Sequence, residues 1–471
     1  MPSSFDTDVP VLLLRLDRNP FHHGTLGAIR SLGRAGVEVH AVVESPHCPI
    51  GRSRYLHQGH HLPADGVHGT CRTGETVDAA GASDDRLERT LRQISDRIGR
   101  PAVLIPMDDM GAIAAARLAD RLSGRFLLPD QPPGLPQRVA DKAELASMCR
   151  ELGIPHPPTA VPRSAGEAAA AARELGLPLI AKWSRPWLLP QGSGLRSTTV
   201  VATADQARAL YRRSGEAGSP LLLQRCVPGG PETDWFFHGC FADGAARLAG
   251  GAGRKERSWP VRAGLTAVGR WLPNPEVEEA ARLLAKHLDY RGILDLDFRL
   301  DTATGAYQLL DFNPRPGAQF RLFTDRSGLD VVRALHLNLT GRAVPPADPA
   351  PGRVFVAENY ALLSSLAALP SADSPFTAAR RGRTAREGGG ARETETAWFA
   401  ADDPAPFLAM SAAWLGQGGR KVLRRAGRRV LRPRPRTASG AGPEPGPGPR
   451  PGGGSGAPGP SEHPDRTTNP R

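Results

Sequence analysis

Two apolar runs near residue 300 each deliver acids to one place. The first is ILDLDFRL, residues 293–300, and the second is LLDFNPRPGAQF, residues 309–320. If DTATGAY between them is the turn, the runs form an antiparallel pair. Asp297 and Asp311 then fall at similar heights on one face, and period-two alternation adds Asp295 and Asn313 to it. Carboxylate and amide oxygens are hard ligands, suited to a magnesium ion that holds nucleotide phosphates. Arg315 would stand beside that ion, placed to stabilise charge on a transferring phosphoryl group. Taken alone, Asp, Asn, Pro and Gly at a strand end also compose an ordinary turn. Carboxylates buried there with neither a metal nor a base would be costly.

A second signal is the scarcity of lysine. Lys142, Lys182, Lys255, Lys286 and Lys421 are the only lysines among 60 basic residues. Arginine supplies generic positive charge in this chain. A retained lysine therefore marks a place where a compact ammonium on a flexible stem is wanted, as against phosphate oxygens; chance survival is the plainer account of any one of them.

The elements that must position these groups are legible. VLLLRL, then TLGAIRSLGRAG with Leu26, Ile29 and Leu32 on one helical face, then VEVHAVV, read as a β-α-β unit. AVLIPM followed by DDMGAIAAARLADRL repeats the alternation, so the chain to about residue 130 is an open, Rossmann-like α/β domain. Its first strand–helix loop, DRNPFHHG, lacks G-x-G-x-x-G, which leaves a dinucleotide site there unsupported. Ligands of such sheets sit at the carboxyl ends of strands. Phe21, His22, His23, Asp108 and Asp109 are thus candidates for a substrate-facing rim, with ordinary loop and N-cap roles as the plainer reading. DQPPGLPQ is a Pro-rich connection. After it come one helix through VADKAELASMCRELG, a strand carrying Lys182, a Gly/Ser loop (Gly192, Ser193, Gly194), and the strand and turn LLLQRCVPGG. TDWFFHGCFADG reads as a strand and hairpin, NPEVEEAARLLAKHLDYRG as an amphipathic helix, and the acid-bearing pair follows.

On these residues the chain resembles the ATP-grasp superfamily, especially its carboxylate–amine ligase branch, over roughly Arg138 to Arg342. The family pattern D/E-x-N-P-R is met by Asp311, Asn313, Pro314 and Arg315. An earlier acid before an aromatic is met by Asp297 before Phe298. Lys142 before LGIPHPP and Lys182 in LPLIAKWSRP stand where the family places its two nucleotide lysines. The resemblance implies a two-lobed ATP-grasp fold after the α/β domain. It implies that Lys142 and Lys182 hold phosphates, and that Asp297, Asp311 and Asn313 hold magnesium or manganese. Arg315 would support the transferring group, and Gly192, Ser193 and Gly194 would form a flap over the phosphates. Gln224, Arg225 and Val227 match the adenine hinge, although Arg225 stands where an acid is common. The ribose acid is Glu232 or Asp234, with Asp234 favoured because the next strand begins just after it. Lys255 and Arg257 match phosphate or acyl-phosphate contacts, a solvated basic loop being the plainer reading. The implied activity joins a carboxylate to an amine or thiol with ATP through an acyl phosphate, releasing ADP and phosphate. An ATP-grasp small-molecule kinase and a nucleotide-binding regulator without turnover are the alternatives, and the intact metal triad speaks against the second. The domains expected are 1–135, 136–342, an extension packing on the core at 343–417, and a tail at 418–471.

The net charge of +12 does not describe a nucleic-acid footprint. From Arg420 to Arg471 there are twelve Lys/Arg and three Asp/Glu, a net +9, so residues 1–419 carry only +3. That tail, rich in Pro and Gly, is too poor in apolar residues to fold. Five scattered cysteines without a C-x-x-C pair exclude a thiolate zinc site and a disulfide framework. MPSSFDTDVP has neither a basic n-region nor an apolar h-region, and no uncharged apolar run reaches membrane length. These features predict a cytoplasmic protein with neither a specific nucleic acid nor a membrane among its partners; the resemblance implies a small-molecule carboxylate and amine as partners, and a homodimer is admitted. The sequence names neither the carboxylate nor the amine.

Overall fold

The computed structural model describes residues 5–45, 47–62, 78–190, 192–230, 232–259, 265–367 and 393–416. The expected β-α-β unit opens a five-stranded parallel sheet. Its order is Gln58–His60, Val39–Val42, Val11–Leu14, Ala102–Pro106, Phe126–Leu127. The central strands are continuous apolar runs because both faces are covered. Leu12, Leu14 and Leu104 face Leu87, Leu91 and Ile94 of the helix Asp78–Ile98. Val11, Leu13, Val103 and Ile105 face the opposite way, into a core with Leu26, Ile29 and Leu32 of the helix His23–Arg34.

That second core does not stop at the parallel sheet. It continues through Val331, Val332 and Leu335 of the helix Val331–Leu339 to Phe236 and Trp271 on a seven-stranded sheet, with Phe323 of the short helix Phe320–Phe323 packed among them. The larger sheet is ordered Tyr307–Asn313, Gly292–Leu300, Asp234–Ala242, Ala246–Trp259, Leu265–Trp271, Val354–Val356, Thr394–Thr396. All neighbours are antiparallel except the last pair. Alternation sends Trp235, Phe237, Leu294, Leu296, Phe298 and Phe312 to its other face, against Val277, Ala281 and Leu284 of the helix Pro275–His287. A four-stranded antiparallel sheet, Thr159–Ala160, Leu221–Arg225, Leu179–Trp183, Thr198–Val201, forms the other lobe.

The single helix expected over VADKAELASMCRELG is two helices, Leu135–Ala140 and Lys142–Leu152. Asp141 breaks it. The residue has extended ψ (116°), and its carboxylate caps the second helix by accepting from the amides of Ala143 and Glu144 at 3.0 and 3.4 Å. The carboxylate also takes the Ser184 hydroxyl and Arg185 Nε (2.7 Å), and Lys142 N donates to Ser184 O at 2.9 Å. The start of the helix is thereby pinned to the end of the strand Leu179–Trp183, which brings the two lysines together.

The segment 393–416 crosses back onto the α/β part. Arg30, fully buried, donates to Asp403 Oδ2 (2.9 Å), Asp403 O (2.7 Å) and Trp398 O (2.8 Å). Residues 368–392 of the expected extension and the tail expected from 418 lie outside the described residues. Among the described residues no helix is long and apolar enough to cross a membrane, and Cys48, Cys149, Cys226 and Cys240 are free thiols.

Candidate active site

The acid-bearing strands pair as the turn predicts. Asp297 lies opposite Asp311, and Asp295 opposite Asn313. The register slips once, between Asp297 and Phe298, which leaves Leu310 as an extra residue in its strand. The Leu310 carbonyl accepts from Lys182 Nζ at 3.0 Å. A third strand contributes His238, directly opposite Asp295.

Each acid has a cation. Lys142 Nζ is 2.7 Å from Asp311 Oδ1, and Lys182 Nζ is 3.4 Å from both Asp311 oxygens. Lys255 Nζ is 2.6 Å from Asp297 Oδ1. Arg315 joins Asp295 Oδ2 through Nη1 (2.7 Å) and Asp109 Oδ1 through Nε (3.2 Å). Four acids thus face four cations, so a magnesium–nucleotide complex could enter without leaving a large uncompensated charge. Burial tends to raise the Asp311 carboxyl, but Lys142 and Lys182 hold it well below the usual carboxylate range. Burial pushes the Asp295 carboxyl up to about 7 against the pull of Arg315. The Arg315 guanidinium, although buried, is held charged by Asp109 and Asp295. Lys182 is lowered by burial, whereas Lys142 and Lys255 are raised, burial being outweighed by Asp311 and Asp297 respectively.

The oxygens fit a hard cation. Asn313 Nδ2 donates to the Asp295 carbonyl and to Asp295 Oδ2, both at 3.3 Å, which leaves its amide oxygen as an acceptor. Asp295 Oδ1 is buried without a hydrogen-bond partner. The Asp297 and Asp311 side chains keep 27% and 28% of their surface exposed, so they look onto an open space rather than into the core.

His238 is a residue the sequence did not single out. It is fully buried, and burial, then Arg315 and Lys255, push its imidazole well below its ordinary range, so it is neutral. Its Nε2 lies 3.4 Å from Asp295 Oδ1 without forming a hydrogen bond. Gly317 passes over it so closely that a Cβ there would sit 1.9 Å from His238 Cε1, which explains glycine at that point of PRPG.

The other expected site residues lie apart from these pairs or hold a different contact. Asp234 is bound through Oδ1 to Arg299 Nε at 2.7 Å. Glu232, at φ +74°, is 3.2 Å from Arg254 Nη2 and mostly exposed. Gln224 is buried and donates to Thr159 Oγ1 (3.1 Å), Arg225 is exposed, and the Val227 carbonyl accepts from Arg299 Nη1 at 3.4 Å. Gly192 and Gly194 both take positive φ (+81° and +73°) in an exposed turn, and the Ser193 carbonyl accepts from Arg213 Nη2 at 2.9 Å. Arg257 does not join Lys255. A bulge at Glu256 intervenes, and the guanidinium donates to Ser365 Oγ at 2.8 Å. Of the rim candidates, Asp109 alone has a direct bond into the cluster. The distance of 206 residues to Arg315 hides that pairing from sequence reading. Asp108 is a cap, accepting from Leu16, Asp17 and Gly111 amides at 2.6 Å each, with its carboxyl raised to about 6 by burial. His22 caps its helix through the Thr25 amide. Phe21 and His23 turn instead toward Trp398, and His23 is enclosed by Phe355, Tyr360 and Trp398.

No protein-family model matches the chain. It is similar to the carbamoyl phosphate synthase large chain of Rubrobacter xylanophilus, with 23% identity over 259 residues, 53% of this chain and 23% of that protein. It is also similar to the arginine-specific carbamoyl phosphate synthase large chain of Geobacillus stearothermophilus, with 25% identity, 48% of this chain and 21% of that one. The chain therefore spans less than half the length of these relatives. Among solved structures it is similar to the L-amino acid ligase of Bacillus licheniformis (TM-score 0.52, 13% identity, 74% of this chain and 78% of that one). It is similar, too, to the biotin carboxylase domain of Hydrogenobacter thermophilus 2-oxoglutarate carboxylase, solved with MgADP and bicarbonate (TM-score 0.51, 16% identity, 75% and 74%). These likenesses show the fold: a Rossmann-like α/β part followed by a two-lobed ATP-grasp unit.

Proposed function

We propose that the chain is an ATP- and magnesium-dependent ligase that activates a small carboxylate as an acyl phosphate and passes it to an amine or thiol, releasing ADP and phosphate. The observation that supports this best is the convergence of Lys142, Lys182, Lys255 and Arg315 on acids that two adjoining strands present on one face. A site for binding alone has no need of three metal-type oxygens next to an arginine whose charge is secured by two further acids. Asp297, Asp311 and the Asn313 oxygen would hold magnesium, which when bound neutralises phosphate oxygens. Lys142 and Lys182 would exchange their pairing with Asp311 for phosphate oxygens. Arg315, held by Asp295 and Asp109, would meet the transferring phosphoryl group, and Lys255 the phosphate or the acyl oxygen. Gln224, Arg225 and Val227 would meet adenine, through the backbone in the case of Arg225. Asp234 would meet ribose, and Gly192–Gly194 would fold over the phosphates. Arg257 would reach the ligand only by leaving Ser365. A cleft of about 460 Å³ beside Pro314–Pro316, lined in part by Ile105, Ala112, Tyr290 and Arg315, offers room for an organic substrate.

The chain's relatives in sequence are named as carbamoyl phosphate synthases and one neighbour in structure as an amino acid ligase, in keeping with this class. We assign the work to residues 136–342, between the α/β part (1–135) and the extension (343–417), in a cytoplasmic protein. The test is an ADP-release screen of carboxylic acids against amines with purified protein. ADP formation that requires an acid, magnesium and ATP together supports the ligase. ATP binding without acid-stimulated ADP release across the panel favours a regulator, and a stable phosphorylated product favours a kinase.

A further inference from the structure

Glu38, His40 and His57 offer one ligand atom each, all within 4.8 Å of one another, at the end of the parallel sheet opposite to the one that reaches Arg315. Glu38 and His40 are two residues apart at the start of the strand Val39–Val42, so they share a face. His57 is brought alongside because its amide donates to the Val39 carbonyl at 2.8 Å, the first link to the edge strand Gln58–His60. The rings of His40 and His57 are 5.1 Å apart between centroids.

The neighbours organise this trio for a cation. His40 Nε2 lies 2.8 Å from Glu38 Oε1, and His40 Nδ1 lies 3.0 Å from His60 Nε2. Arg100 takes the other Glu38 oxygen at 3.0 Å, which aims Oε1 at the imidazole. If Nδ1 donates to His60, the lone pair of Nε2 faces a carboxylate oxygen, two acceptors in contact, and a cation between them removes the conflict. If Nε2 donates to Glu38 instead, the trio is an ordinary hydrogen-bonded chain. An imidazole tied at its second nitrogen is the arrangement that fixes a metal-ligating histidine. Two imidazoles and a carboxylate suit zinc and its borderline neighbours rather than magnesium. Tetrahedral zinc at about 2.0–2.1 Å needs donor atoms about 3.3 Å apart, which side-chain rotation of the exposed His57 and half-buried Glu38 can reach.

We propose that Glu38, His40 and His57 form a three-ligand divalent transition-metal site, zinc by class, with water in the fourth position and His60 orienting His40. It clamps the edge strand of the α/β part to its neighbour and stands apart from the magnesium chemistry. The test uses the full-length protein after chelation, with zinc titrated in excess magnesium so that the carboxylate site is blocked. The expected result is one equivalent bound with a dissociation constant below about 10 µM, a thermal midpoint raised by a few degrees, and visible d–d bands when cobalt replaces zinc. His57→Ala, at an exposed position, should lose the equivalent, the shift and the bands while keeping the unliganded midpoint. Glu38→Gln should weaken binding at least tenfold. Absence of a bound equivalent, or an equivalent retained in His57→Ala, overturns the proposal.

Discussion

At the residue scale, the cluster couples chemistry to stability in a way the sequence alone does not announce. Asp311 neutralises the buried Lys182 and the half-buried Lys142, so Asp311→Asn should lose turnover and stability together: ADP release falls at least about a hundredfold, and unfolding stability falls by about 3 kcal/mol, since two ammoniums lose their partner. Asn313→Ala should lose comparable activity with a smaller loss of stability, about 1 kcal/mol, because only two long hydrogen bonds to Asp295 go and no buried cation loses its partner. Urea titration beside an ADP assay separates the two. A stable Asp311→Asn protein with wild-type turnover contradicts both roles. Lys182→Arg should fail despite conserving charge. Lys182 is 8% exposed and fits a compact ammonium between the Leu310 carbonyl and Asp311, where a planar guanidinium is too large. Its Michaelis constant for ATP should rise about tenfold or more, and an unchanged constant would remove the argument from retained lysines.

At the element scale, what was legible followed from periodicity and turn chemistry. The strand pair around DTATGAY, its facing acids, and the hairpin after TDWFFHGCFADG were all readable because alternation and turn residues agree. The break at Asp141 was not, since VADKAELASMCREL keeps a helical pattern across it and the capping carboxylate is held by Ser184 and Arg185, just past the end of the strand Leu179–Trp183. Nor was the burial of His23, whose aromatic enclosure comes from residues more than 300 positions away. Burial lowers that imidazole from an ordinary 6.5 to about 4. The folded form binds its proton less readily than the unfolded chain, so its contribution to stability is complete above pH 6.5 and is lost as pH falls toward 4. Between pH 7.5 and 5 the loss from this residue is about 2 kcal/mol. His23→Leu should shrink the measured pH 7.5-to-5 drop by about that amount, and an unchanged drop would show that the ring is not held neutral. Gly317 gives a test of strand against loop. Gly317→Ala should cut turnover by more than tenfold through the clash with His238, and adding His238→Ala should recover part of it.

At the scale of the whole molecule, one core joins the parallel sheet to the seven-stranded sheet through the helix Val331–Leu339, and the segment 393–416 locks onto it. The lock centres on Arg30, fully buried and held by Asp403 and the Trp398 carbonyl. Asp403→Ala leaves that guanidinium without its counter-charge and should cost about 3–5 kcal/mol. Arg30→Met together with Asp403→Ala should recover much of it, and a single-mutant loss under about 1 kcal/mol would show that the segment is not anchored there. The long-range pairs Arg30–Asp403 and Asp109–Arg315 escaped sequence reading for the same reason: neither partner's local pattern reports a contact hundreds of residues distant.

The central claim, carboxylate activation at the Asp297–Asp311 face, is tested most directly by trapping its intermediate. Hydroxylamine is added with ATP, magnesium and an acid that stimulates ADP release, in the absence of the amine. An acyl phosphate formed there should appear as the hydroxamate of that acid, in amounts matching ADP, absent when ATP, magnesium or the acid is left out, and reduced when the true amine competes. ADP release with no hydroxamate and a stable phosphorylated product, or AMP as the nucleotide product, would contradict it.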